Sequence, residues 1–90
     1  MRVSDYLGRG QESAVPLRRL ASLTGENPRA VRKGIETERR NGVPILSDNE
    51  NGYWLAANEA EAKRFVKSMR GRAHEILTTA AAVEAAYKEC

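Results

Sequence analysis

Cysteine is almost missing from this 90-residue chain, Cys90 being its one copy, so there is no second thiol for a disulfide and no cysteine cluster for a metal. A reducing compartment, the cytoplasm, is therefore expected. Histidine is as scarce, and His74 has neither a second histidine nor a carboxylate pair at ligand or catalytic spacing. That argues against an enzyme, a metal site or a cofactor. Gly8 and Gly10 of YLGRGQES lack both the spacing and the lysine of a phosphate-cradling loop. No apolar run approaches the ~20 residues of a membrane span, and MRVSDYLGRG lacks the apolar segment of an export signal. Neither membrane insertion nor export is expected.

Acidic residues are thin in two places. Residues 29 to 40 carry Arg29, Arg32, Lys33, Arg39 and Arg40 against Glu36 and Glu38, and residues 63 to 72 carry Lys63, Arg64, Lys67, Arg70 and Arg72 with no acid. The formal charge of the whole chain is only +3, so it is the clustering that points to a polyanionic partner. Apolar residues make up 41%, enough for one modest core plus an appended element.

The apolar spacing lays out the elements. Val3, Tyr6 and Leu7 predict a short helix over residues 2 to 8, dependent on tertiary packing. Pro16 opens a second helix as its first residue, with Leu17, Leu20 and Ala21 facing inward, Leu23 as a further candidate for that face, and Gly25 as the stop. Asn27 before Pro28 predicts a capped start for a third helix running to Arg40, and Asn41-Gly42 predicts its left-handed exit. Residues 43 to 47 and 53 to 56 read as the strands of a hairpin, with Pro44 near its edge and DNENG as the turn. Tyr53 and Trp54 are expected to pack there, not to stack on single-stranded bases. Asn58 with Glu61 then resembles a capping box for a helix from Glu59 to about Lys88, interrupted by no breaker except Gly71. Along it Ala62, Val66, Met69, Ala73, Ile76, Ala80, Val83 and Tyr87 keep alternating spacings of four and three, a heptad pattern.

This order predicts a mainly α fold with a small β-hairpin. Residues 1 to 57 form a winged helix-turn-helix domain and residues 58 to 90 a long C-terminal helix. The sequence from Val15 to Ala56 resembles the winged-helix domains at the N-terminus of biotin-ligase repressors and small phage-associated DNA-binding proteins of Gram-positive bacteria. The residues that carry the resemblance are Leu17, Leu20, Thr24 and Gly25; Arg29, Val31, Arg32 and Ile35; Arg39 with Gly42 to Ile45; and Gly52 to Ala56. It implies that the third helix is a recognition helix. At 100° per residue, Val31, Ile35 and Glu38 share one stripe, while Arg29, Arg32, Lys33, Glu36 and Arg40 fan across the other side. In a major groove those cations can bind guanine edges and phosphates. Arg39, Lys63, Lys67 and Arg70 are candidates for further phosphate contacts.

Three features depart from that pattern. Glu38 stands where the repressor pattern has leucine, and it is expected to pair with Arg18, Arg19 or Arg39, because an unpaired buried carboxylate is expensive. Asp48 and Glu50 at the wing tip repel phosphate. Gly34 lies inside a helix at a cost of up to about 1 kcal/mol, which close approach to the second helix or to the partner would explain as well as simple tolerance does.

A 30-residue helix spans roughly 45 Å, longer than a compact body of some 57 residues, which is roughly 25 to 30 Å across. Phe65, Val66 and Met69 can cover that body. Ala73, Ile76, Leu77, Ala80, Val83 and Tyr87 need another surface, and a second copy of the chain would supply it. The expected function is sequence-specific binding of double-stranded DNA as a homodimer, in transcription regulation or as a phage or mobile-element factor. The alternative is an adaptor that docks on replication or transcription proteins.

Overall fold

The computed structural model describes residues 2–88; Cys90, the single cysteine, lies outside them. Two 3-10 turns, Val3–Tyr6 and Gln11–Ser13, precede helices α1 (Leu17–Thr24) and α2 (Pro28–Arg40), strands β1 (Ile45–Asp48) and β2 (Gly52–Leu55), and a long helix α3 (Glu59–Lys88). The helix expected over residues 2 to 8 is only the first of those turns. Four residues cannot repay the cost of nucleating an α-helix, and the turn is held instead by α2, as described below.

Pro16 (φ −62°, ψ 152°) caps α1 from outside instead of opening it. Gly25, left-handed at φ 74°, closes the helix with its amide on the Ala21 carbonyl, and Leu23, a candidate for the inward face, is instead 43% exposed. Asn27 starts α2 as its sequence requires, its Oδ1 accepting the Ala30 amide at 2.8 Å while Pro28 fills the first helical position. At the far end Asn41 keeps a right-handed conformation (φ −88°), and the left-handed step falls on Gly42 alone (φ 93°).

β1 and β2 pair antiparallel, Ile45 opposite Leu55 and Asp48 opposite Gly52. Pairing starts two residues later in β1 and one residue earlier in β2 than the sequence predicts, because Pro44 remains outside the ladder and accepts the Ala56 amide on its carbonyl. The other edge of β2 is also filled. Tyr53 exchanges both backbone hydrogen bonds with Val15, at 2.9 and 2.8 Å, and Leu55 bonds Gly8 and Gly10, each at 2.8 Å. Gly52 makes this approach possible: at φ 106°, a Cβ there would collide with the Val15 carbonyl.

Strand alternation gives the hairpin two buried faces. Ile45 joins Val3, Leu20, Val31 and Ile35 in the main core, with Tyr53 and Leu55 packed against it. Leu46, Trp54 and Ala56 face the other way and take Ala62 and Phe65 of α3. Gly34 lies where a side chain would press on Val3 Cγ2, 3.2 Å from an added Cβ, so the close approach is to the first 3-10 turn.

α3 runs without a break through Gly71, and the described molecule measures 53 × 31 × 25 Å. Its start is the expected cap in part: Asn58 Oδ1 accepts the Glu61 amide at 2.9 Å. Glu61 does not return that bond to Asn58; its Oε1 accepts the Ala57 amide at 2.8 Å and the Trp54 indole N–H at 3.2 Å. Val66 and Met69 stay 41 and 42% exposed, so of the three residues expected to cover the body Phe65 is the one that packs into it. Among the described residues no helix is long and apolar enough to cross a membrane.

Candidate nucleic-acid interface

α2 is a strongly two-sided helix. Val31 and Ile35 are buried at 0 and 2% exposure, which fixes the rotation of the helix about its axis. That rotation leaves Arg29, Arg32, Lys33, Glu36 and Arg40 exposed. The Arg40 guanidinium pairs with Glu36 at 2.5 Å, both side chains largely in water, a contact of small energy that a stronger anion can displace. Among the described residues, Arg29, Arg32 and Lys33 hold no ion pair within the chain.

Two residues next to this face have other duties. Glu38 pairs with no arginine. Its Oε2 accepts the Val3 amide at 2.6 Å and its Oε1 the Ser4 amide at 3.0 Å, so the carboxylate caps the first 3-10 turn from across the core. Burial raises its pKa, but the adjacent Ser4 hydroxyl, the bonds from the Ser4 and Val3 amides and the nearby Arg2 charge together outweigh burial and hold the carboxyl below its ordinary value. The leucine expected at this position is thus replaced by a charge-assisted tie between two segments 35 residues apart.

Arg39, a candidate for phosphate contact, is turned inward. Its Nε donates to the Ile45 carbonyl at 2.7 Å and its Nη2 to Ser47 Oγ at 3.1 Å, while the guanidinium carbon lies 5.3 Å from the centre of the Phe65 ring and 6.0 Å from that of Tyr53. Burial pushes the pKa of this group below its ordinary value, and Tyr53 opposes the shift. One side chain therefore joins α2, both strands and α3, which takes it out of the set free to meet a phosphate. The one sequence signal that separates it from the neighbouring Arg40 is its position around the helix, about 80° from Val31 where Arg40 lies about 180° away.

The hairpin tip is closed on itself. Asp48 accepts the Glu50 and Asn51 amides on Oδ1, and on Oδ2 the side-chain amides of Asn51 and Gln11, each at 2.8 Å. Bonds from the Asn51 side chain and backbone, more than the others, lower its pKa to about 2, so the tip keeps its negative charge throughout the physiological range.

On α3, Lys63 pairs with Glu59 at 3.0 Å, and with Lys67 and Arg70 it lines a shallow groove beside Val66. A different groove runs beside α2, formed by Arg32, Glu36, Arg40 and Tyr53 and closed by Met69 of α3. The long helix thus borders the cationic face without covering it. Among the described residues no three His, Cys, Asp or Glu side chains gather to hold a metal ion.

Two short helices joined by a Gly-containing turn and followed by an antiparallel hairpin form a layout compatible with a winged helix-turn-helix. No family model matches the chain, and no curated protein or solved structure matches it either.

Proposed function

We propose that the chain binds double-stranded DNA in a sequence-dependent way, presenting α2 to the major groove as one half of a homodimer joined through α3. The observation that carries this reading is the cationic face of α2: Arg29, Arg32, Lys33 and Arg40 are all exposed on a helix whose opposite stripe is buried in the core. A merely solvated face would serve solubility with mixed signs, whereas these side chains are long, mostly unpaired donors suited to guanine edges and phosphates. The resemblance of residues 15 to 56 to the winged-helix domains of biotin-ligase repressors and phage-associated DNA-binding proteins supports the same reading. The acidic tip at Asp48 and Glu50 repels phosphate, so α2 carries the contact and the wing stays off the backbone. Transcription regulation in the cytoplasm, on a host, phage or mobile-element operator, is the role this would serve.

Fluorescence anisotropy tests it, using random and genomic duplexes over a range of salt. The parent is expected to bind with a logarithmic affinity that falls linearly with the logarithm of salt, and Arg29→Ala with Arg32→Ala to lose roughly tenfold or more, at about 1–3 kcal/mol per base contact. Absence of duplex binding at low salt would favour the adaptor reading instead, for which the acidic tip and the uncovered stripe of α3 offer docking surfaces.

A further inference from the structure

Beyond Phe65, α3 carries a bare apolar stripe on which Met69, Ile76, Val83 and Tyr87 are 42, 68, 56 and 80% exposed. The stripe alternates in size. One row of the heptad holds the small residues Ala73 and Ala80 and ends at Tyr87, and the other row is large throughout, Met69, Ile76 and Val83. Two helices running parallel would set each row against itself, so that alanine met alanine and isoleucine met isoleucine. Running antiparallel, each small residue faces a large one, the arrangement that fills space best.

We propose that two copies of this chain pair through α3 in antiparallel orientation, with the two-fold axis at the level of Thr78. This rests on the homodimer of the proposed function and adds its orientation and register. Ala73 of one copy then faces Val83 of the other, Ile76 faces Ala80, and Met69 faces Tyr87. The flanking positions agree, because Arg70 meets Glu84 of the other copy and Leu77 meets its own counterpart. Charge over the whole helix favours the same direction: residues 63 to 72 hold five cations and no acid, while residues 73 to 88 hold Glu75 and Glu84 against Lys88. Parallel pairing would stack the two cationic blocks on each other.

The fit to the body is also consistent. In this register the helices overlap from Ser68 to Lys88, roughly 32 Å at 1.5 Å per residue. The overlap stops short of Glu61, Ala62 and Phe65, which are occupied by the winged body. The two bodies then sit at opposite ends of the pair, their Ala62 positions roughly 48 Å apart along the axis. Tyr87 of each copy comes to rest on Met69 of the other, beside the groove that holds Arg32, Glu36 and Arg40.

Paired cysteines test this in the full chain carrying Cys90→Ser, with Ala73→Cys and Val83→Cys as separate variants at exposed positions. Mixed under reducing conditions and then mildly oxidised, the two are expected to give a disulfide-linked heterodimer, and neither alone a linked dimer. Linking of each variant to itself, in a protein that sediments as a dimer, overturns the antiparallel orientation and leaves the homodimer standing. A dimer giving no disulfide in the mixture overturns the register. A monomer by sedimentation at micromolar concentration overturns the dimer itself, and the anisotropy titration reports on DNA binding independently of all three.

Discussion

At the scale of single residues, Glu38 shows how a polar group can occupy a core-facing stripe. Its two carboxylate oxygens satisfy two backbone amides that would otherwise be left at the start of a four-residue turn. Glu38→Gln keeps the shape and removes the charge, and it is expected to lower unfolding stability by about 1–2 kcal/mol at neutral pH, since bonds to a charged acceptor exceed neutral ones by that order. The pH dependence has a definite sign. Folding lowers the pKa of this carboxyl, so its contribution is complete above the unfolded-state value and is lost as pH falls through the folded-state value. Urea unfolding of parent and variant should therefore converge in acid and diverge towards neutrality. Gly52 gives a second residue-scale prediction. Its positive φ and the Val15 carbonyl beside it both exclude a side chain, so Gly52→Ala should cost about 3 kcal/mol or more, whereas Gly25→Ala, left-handed but with open space around it, should cost only about 1 kcal/mol by the same measurement.

At the scale of elements, much of the layout is legible because local chemistry and packing agree. Asn27-Pro28 starts α2 where it says it should, the Val31–Ile35 spacing turns the correct face inward, and the four-three spacing predicts an unbroken α3. What the sequence hides is non-local. The pairing of β2 with Val15 and with Gly8 to Gly10 involves segments too short to show alternation, and the partners of Glu38 are backbone amides, which carry no side-chain signature. For the candidate interface the exposed cations of α2 are legible from periodicity, and so is the place of Arg39 outside their fan, but its partners in β1, β2 and α3 are not. Its structural duty predicts an outcome opposite to that of a phosphate contact. Arg39→Ala is expected to lower unfolding stability by about 2–4 kcal/mol, from two charge-assisted hydrogen bonds and ring stacking, and to leave the salt slope of DNA binding unchanged. A phosphate contact would instead leave stability alone and reduce that slope by about one.

At the scale of the whole molecule, the features that look excessive for a body of this size form one device under the proposed function. α3 is attached at one end only, by Glu61, Ala62 and Phe65, and its free part exposes Ile76, Leu77, Val83 and Tyr87. A single recognition helix with a handful of cations binds duplex weakly and reads few base pairs; two of them on one rigid rod convert the second contact into an intramolecular event. Ile76→Asp places a charge in the middle of the stripe without touching the winged body. Sedimentation of this variant at micromolar concentration is expected to show a monomer, and anisotropy a loss of duplex affinity of about 100-fold or more. Its salt slope should fall to about half that of the parent, because half of the phosphate contacts are gone. The distinction lies in that slope: a variant that lost affinity with the parental slope would have kept both recognition helices on the duplex, and the paired-helix account of the long overhang would fail.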